Sequence, residues 1–341
     1  MTRRGFLWAS AGSIGLAASI QGRPIRAGFL GGAHSHAESK WRLVGESPEF
    51  ERVGMTEPSD SLRQRFQALG AVFLSQAELL AKSDVIFVES AVGDHARHAI
   101  LALSAGRHVH VEKPVGTRLS EIQEMARLAQ RHDLVFQSGY MWRHHPGFDA
   151  LFQAVRSGWL GRVHLVRGMI GTSLESSRRP EWGQFEGGGL FELGSHLIDA
   201  LIRLMGEPDR VTPFLRRDGG YNDRLQDNNA AVFEFKQAMG IILNSTLDPG
   251  AGPRREFEVI GSNGTATLRP IEKPVLQIDL AQAAGPYRAG AQQIPLPRYE
   301  RYRDDIRELA ACIRGERKPR VSLDEEIRVQ RWLLKACGVD A

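Results

Sequence analysis

Cysteine is scarce: Cys312 and Cys337 are the only two in 341 residues, and both fall in C-terminal sequence with helical patterning. Two thiols so placed make no disulfide framework, and they leave the redox compartment open. Long apolar runs are missing too. The mildly apolar stretch from Trp8 to Ile20 belongs to a region of about 15 residues, short of the ~20 that a membrane-spanning helix needs. The formal charge is only +4, and the basic residues come as scattered pairs such as Arg178-Arg179, Arg216-Arg217 and Arg254-Arg255. With no basic stripe and no aromatic-interleaved patch, nucleic acid is not expected as a partner. What is present is bulk. A chain of 341 residues that is 42% hydrophobic can bury a large core, and its length favours two domains.

The first residues have an order of their own. Thr2-Arg3-Arg4-Gly5-Phe6-Leu7 precedes a small, Gly- and Ala-rich apolar run, the succession of charges, apolar region and small residues found in signal peptides. Adjacent arginines before Phe-Leu resemble a twin-arginine export signal. This predicts a leader over residues 1–22, no stable membrane anchor, and a periplasmic or otherwise exported protein. No Ala-x-Ala cleavage site is visible, so a leader on a cytoplasmic protein is the alternative.

From Pro24 onward strands and helices alternate, the pattern of a doubly wound parallel sheet. A strand over 25–30 runs into Gly31-Gly32-Ala33-His34-Ser35-His36 and then a helix. A dinucleotide fingerprint would place three glycines here, so that the backbone can approach a pyrophosphate. The first is Gly31, but the others fall on Ala33 and His36. A methyl group therefore sits near the phosphates, and His34 or His36 could contact phosphate or ribose, or make only local bonds. The next strand, over 51–55, ends at Thr56-Glu57-Pro58. An acidic residue there accepts hydrogen bonds from ribose hydroxyls and repels a 2′-phosphate, so NAD is expected ahead of NADP. A short β-branched strand over 108–111 then delivers Glu112 and Lys113 to the carboxyl edge of the sheet, where Pro114 ends it. A primary amine at that edge can hydrogen-bond or protonate a substrate oxygen.

Ala102-Leu103-Ser104-Ala105-Gly106-Arg107-His108-Val109-His110-Val111-Glu112-Lys113-Pro114 closely resembles the signature of the glucose-fructose oxidoreductase, inositol dehydrogenase and rhizopine-catabolism family, Gfo/Idh/MocA. The resemblance covers nearly everything after residue 23. It implies a Rossmann NAD(P)-binding domain over 23–145 and an α+β domain over 146–341 with a large, mainly antiparallel, open-faced sheet. Antiparallel pairing is also expected because the connections between its strands, over 162–170, 229–235, 239–247, 255–261 and 265–268, look too short for crossovers. In the family the open face forms the oligomer contact, which implies a homodimer or homotetramer. The resemblance further implies cofactor contacts from Gly31, Gly32, Ala33, His34, His36, Glu57, Ser90, His95, Glu112 and Lys113. Arg143 and His145, in Gly139-Tyr140-Met141-Trp142-Arg143-His144-His145-Pro146, are placed near cofactor and substrate.

The other half of the site is read from Gly187-Gly188-Gly189-Leu190-Phe191-Glu192-Leu193-Gly194-Ser195-His196-Leu197-Ile198-Asp199. Helical spacing puts Glu192, His196 and Asp199 on one face. This looks like the family's catalytic helix, with Glu where the pattern usually has Asp. A histidine flanked by carboxylates is a fitting general base, since its ordinary pKa of ~6.5 suits proton transfer near neutrality. No second histidine arrives at ligand spacing, so no metal is expected. Ahead of this helix, the long polar loop over 173–183 offers Arg178 and Trp182 to a substrate, alongside Asp199.

The resulting expectation is an NAD-dependent oxidoreductase acting on the carbinol of a sugar, polyol or glycoside, with Lys113, His196 and Glu192 catalytic. Export would favour a redox-neutral variant that retains its NAD, such as sugar-sugar hydride exchange, epimerisation or glycoside cleavage through a ketone. The altered glycine turn favours a third possibility, a non-catalytic cofactor-binding sensor or scaffold.

Overall fold

The computed structural model describes residues 22–341. All of the expected leader except Gly22, and with it the twin-arginine motif, lies outside the described residues. Among them no helix is long and apolar enough to cross a membrane. The chain forms two compact units that interleave along the sequence. The first holds the chain to Glu112 with Gln123–Gly139 and Ile306–Ser322; the second holds Lys113–Ile122, Tyr140–Asp305 and Leu323–Ala341.

In the first unit, β1 (Ile25–Leu30), β2 (Phe50–Thr56), β3 (Val85–Val88), β4 (His108–Val111) and β5 (Phe136–Ser138) form a five-stranded parallel sheet in the order β2-β1-β3-β4-β5. Helices α1 (Ala37–Glu46), α2 (Asp60–Gln67), α3 (Gln76–Lys82), α4 (His95–Ser104) and α5 (Leu119–His132) connect the strands or lead into them. Every residue of β3 and β4 is buried. That is the expected state of parallel strands covered on both faces, and it explains their unbroken apolar or aromatic character. Side chains start the intervening helices: Ser59 accepts from Leu62 N–H ahead of α2, and Ser75 forms a capping box with Glu78 ahead of α3. Strand order reverses between β1 and β3, so the loops that follow these two strands flank the crevice where doubly wound sheets bind ligands.

The second unit is built on an eight-stranded sheet. Its strands are β6 (Val163–Gly171), β7 (Arg210–Arg216), β8 (Asn228–Phe235), β9 (Ala238–Ser245), β10 (Glu256–Gly261), β11 (Gly264–Leu268), β12 (Leu276–Leu280) and β13 (Gly290–Ile294), in the order β13-β12-β11-β10-β6-β9-β8-β7. Three of these, β7, β12 and β13, escape the sequence reading. Two of them are the sheet's edges, where Pro213 and the polar run Gln292-Gln293 are tolerated because one side needs no partner. One pairing also departs from expectation. β6 and β9 are parallel, Leu165 opposite Met239, because the long path between them through two helices and two strands is a crossover.

Helices α6 (Pro146–Arg156), α7 (Arg179–Trp182) and α8 (Ser195–Met205) precede or follow β6, and α9 (Arg303–Ile313) and α10 (Leu323–Ala336) close the chain. Close approach of α8 to the sheet depends on glycine. A Cβ on Gly240 would sit 2.8 Å from Leu201 Cδ2, and one on Gly168 3.0 Å from Leu197 Cδ1. The opposite face is apolar and exposed at Phe214, Met239 and Leu243.

The start of β3 is anchored by Asp84, which is buried and accepts from Arg23 Nη1 at 2.7 Å, Arg26 Nη2 at 2.8 Å and Arg26 N at 2.9 Å. Burial opposes its ionisation, but the two arginines outweigh it and hold the pKa below the ordinary value of 3.8. The depressed folded pKa makes this contribution fully present above the unfolded value and lost as pH falls through the folded one. Asp84→Asn is therefore expected to cost about 1–3 kcal/mol in urea denaturation at pH 7, and progressively less as the pH is lowered below about 4.

Candidate active site

Lys113 is the first residue of the second unit. Its ammonium is buried and donates to the Glu192 carbonyl at 2.7 Å and to Glu192 Oε1 at 3.0 Å. Glu192 lies in a π-helical turn, Leu190–Gly194, that leads directly into α8. Such turns widen the helix by one residue and are frequent at functional sites. Here the turn offers both the carbonyl and the carboxylate of Glu192 to one lysine. The Ser195 hydroxyl donates to the same carbonyl at 3.1 Å. The segment enters this turn through Gly187 and Gly188, whose φ angles of 81° and 40° lie in the left-handed region that favours glycine.

His196 is the second residue of α8 and is 3% exposed. Its ring lies between aromatic neighbours, 4.8 Å from the Trp142 centroid and 5.8 Å from that of Tyr140, the latter edge-on. These rings pack against the imidazole. Burial, reinforced by Asp199, pushes the Tyr140 hydroxyl well above the ordinary tyrosine value, so it remains a neutral donor. Lys113 and Glu192 thus form a buried ion pair, and His196, one turn beyond Glu192 in the chain, is buried as well.

The other expected substrate residues are placed differently. Arg143 donates to Asp199 Oδ1 at 2.8 Å and 3.1 Å and to Glu326 at 2.5 Å and 2.9 Å, with its guanidinium 4.7 Å from the Tyr140 ring centroid. Burial disfavours the charge, but the two carboxylates outweigh it and hold its pKa well above the usual value. Asp199 is committed to this pair, with Arg203 3.8 Å away on its other oxygen. His145 caps α6: Nδ1 accepts from Gly147 N–H at 3.1 Å, and Nε2 donates to the Ile271 carbonyl at 2.8 Å. Burial pushes its pKa down to about 4, which matches a neutral ring with that tautomer. In the 173–183 loop Trp182 is buried and Arg178 is partly exposed, its guanidinium 5.4 Å from the Trp182 ring centroid. The deeply placed arginine is Arg179, paired with Asp223 at 2.5 Å and Asp227 at 2.8 Å. Adjacent arginines look alike in sequence, and only the fold distinguishes them.

In the first unit, Gly31 has φ 81°, and a Cβ on it would meet Ser90 Cα at 2.5 Å. The two loops of the crevice therefore touch at a point where only glycine fits. Glu57 is buried, with Oε2 accepting from Gly32 N–H at 2.7 Å and Oε1 from Ser59 N–H at 2.8 Å. Ala33 is exposed in the turn, so its methyl group displaces no protein atom. His95 is fully buried and bonds the Ser90 carbonyl through Nε2 at 3.0 Å, and the Ser90 hydroxyl meets His98 Nδ1 at 2.9 Å. His34 and His36 flank Glu112, whose carboxylate also contacts Lys40. Lys40 escapes the sequence reading, since nothing in the polar run around it marks a lysine as fully buried. The glycine turn, the helix start behind it and the acid at the end of β2 fit a dinucleotide.

Sequence comparison identifies the family. The model for the oxidoreductase family's NAD-binding Rossmann fold matches residues 25–140, and that for the GFO/IDH/MocA C-terminal domain matches 148–267. The chain is 31% identical over 197 residues to a trans-1,2-dihydrobenzene-1,2-diol dehydrogenase of Bos taurus, covering 56% of this chain and 57% of that enzyme. The match thus spans less than two thirds of that relative's length. It is 23% identical over 283 residues to a dTDP-3,4-didehydro-2,6-dideoxy-alpha-D-glucose 3-reductase of Streptomyces violaceoruber, covering 75% and 78%. Among solved structures, GenD2 from gentamicin A biosynthesis in complex with NAD shares the fold, with a TM-score of 0.77, 20% identity and coverage of 98% and 95%.

Replacing Arg143 with Met would strand two buried carboxylates. The expected loss is about 3–5 kcal/mol of stability in chemical denaturation. Unchanged stability would return Arg143 to the role of a substrate ligand.

Proposed function

The chain belongs to the Gfo/Idh/MocA oxidoreductases, and from that premise we propose that it transfers hydride between a carbinol carbon of a sugar, polyol or glycoside and a nicotinamide dinucleotide. The observation that carries this reading is the burial of Lys113, Glu192 and His196. A binding module has no need of a desolvated ammonium and a shielded imidazole, whereas proton transfer at a carbinol oxygen can use both. This argues against the scaffold.

In the proposed mechanism the Lys113 ammonium hydrogen-bonds the substrate oxygen and stabilises negative charge there as its proton leaves. His196 accepts that proton. Its ring packs against Trp142 and Tyr140, and such packing limits the reorganisation that accompanies the transfer. Glu192 positions the lysine through its carbonyl and its carboxylate. The dinucleotide, when bound, supplies the hydride-accepting carbon. Gly31, Gly32 and the start of α1 are the elements to hold its phosphates, and Ser90 borders them. Glu57 supports NAD over NADP, because a buried carboxylate at the end of β2 would repel a 2′-phosphate.

The Arg3-Arg4 leader supports a second reading. An exported member, cut off from the cytoplasmic nucleotide pool, would retain its cofactor and return the hydride within each cycle, giving a redox-neutral reaction.

Two measurements test these readings. Lys113→Met and His196→Ala are each expected to slow turnover by at least 100-fold while the folded circular dichroism spectrum is kept; rates within a few-fold of the parent would refute the catalytic assignment. Mass spectrometry of small molecules released on denaturation should find stoichiometric NAD or NADH if the cofactor is retained. If none is released but added NAD binds, the reaction is an ordinary exchange dehydrogenation.

A further inference from the structure

The second unit holds a cavity of about 410 Å³ between the 183–186 segment, which follows α7, and the connection from β7 to β8. That size falls among the pockets that take small molecules. Two guanidiniums line it, those of Arg217 and Arg224, against one carboxylate, that of Glu186. The other acids of the connection, Asp218, Asp223 and Asp227, are committed elsewhere. Asp218 accepts from Arg216 Nε at 2.9 Å and from Asn228 Nδ2 at 2.8 Å. Asp223 lies in the field of Arg217, but its oxygens accept from Arg179 at 2.5 Å and 3.1 Å and from Leu225 N–H at 3.0 Å. Asp227 accepts from Arg179 Nη2 at 2.8 Å.

The same bonds hold the cavity's walls together. Arg179, at the start of α7, ties that helix to the connection through Asp223 and Asp227. Gly187 N–H donates to Gln226 Oε1 at 2.5 Å, and a Cβ on Gly183 would lie 3.1 Å from both the Arg179 carbonyl oxygen and Leu225 N. An exposed arginine without a carboxylate is ordinary on a surface; two that share one cavity with fixed walls are not. Phe185, its ring centroid 5.4 Å from that of Phe191, gives the wall an aromatic member. We propose that this cavity binds an acidic sugar, with its carboxylate or phosphate received by Arg217 and Arg224 and its hydroxyls by Glu186 and Gln184. Guanidinium forks match either anion in bidentate geometry. An aromatic face suits the C–H side of a sugar ring. A carboxylate in the lining accepts from hydroxyls but repels a bare anion, so Glu186 favours a hydroxylated ligand over an inorganic ion. This inference goes beyond the hydride reading and does not rest on it.

The test titrates the full chain by calorimetry at fixed ionic strength with D-glucuronate, glucose-6-phosphate, D-glucose and inorganic phosphate in turn. One equivalent of an acidic sugar is expected, with D-glucose and inorganic phosphate each weaker by about tenfold or more. Whichever of the two acidic sugars binds more tightly identifies the anion. Arg217→Gln and Arg224→Gln change exposed side chains, so the folded circular dichroism spectrum is kept, and each should weaken that binding by about tenfold or more. Glu186→Gln should narrow the gap between the acidic sugar and inorganic phosphate. Lys113→Met should leave the affinity unchanged; loss of binding there would place the ligand at Lys113 and overturn the proposal. An affinity unchanged in either arginine variant, equal binding of D-glucose, or no binding of either acidic sugar would also overturn it. Inorganic phosphate bound as tightly as the sugars would leave an adventitious ion only. NAD binding is followed separately, and its absence would count against the hydride reading and leave the sugar result standing.

Discussion

The last turn of β4 sends two adjacent charges, Glu112 and Lys113, into surroundings without water. Each must be neutralised where it lies, because an unmatched buried ion costs several kcal/mol. Glu112 is met by Lys40 from α1, and Lys113 by the carbonyl and carboxylate of Glu192. These demands propagate. Gly139 must lack a side chain, since a Cβ there would lie 3.0 Å from Glu112 Oε2 and 3.1 Å from Lys40 Nζ. On the other side, Glu192 must present its carbonyl sideways, and the π-helical turn provides that geometry at the entrance to α8.

A second buried charge organises the rest of α8. Arg143 joins Asp199 on that helix to Glu326 on α10, and its guanidinium lies over Tyr140, which in turn borders His196. The helix carrying the proposed base is thus held by an ion-pair triad from one direction and by its seat on Gly168 and Gly240 from another. A rigid base is what proton transfer requires, because a small displacement of the imidazole would cost much of the rate. Arg143 and Asp199 contribute to that fixation through their ion pair.

How much of this could be read from the chain varied with the kind of interaction. The parallel sheet was legible because its strands are short, apolar and separated by amphipathic helices, a pattern that depends only on local sequence. Lys113 stood out chiefly through the resemblance of the run ending at Pro114 to a family signature, and His196 through both its carboxylates at helical spacing and the same resemblance. Edge strands β7 and β13 were hidden because they are not buried on both faces, so no apolar alternation marks them. Lys40 and Arg179 were hidden for a different reason. Each is a charged residue in a polar run, and its burial is set by carboxylates far along the chain, Glu112 and Glu89 for one, Asp223 and Asp227 for the other.

Taken alone, the sequence determined the α/β class, the run of strands in the first unit and the glycine turn at its first strand. These follow from periodicity, steric limits on glycine and proline, and residue chemistry, all of which act over a few positions. Tertiary structure decided which charges are matched with which. It made β6 and β9 parallel, turned Arg143, Asp199 and His145 toward protein partners, buried Arg179 instead of Arg178, and gathered His34, His36, Glu89 and Glu112 around one lysine. Those outcomes rest on contacts between residues tens to hundreds of positions apart, and pairing at that range is settled by packing and desolvation when the chain is folded.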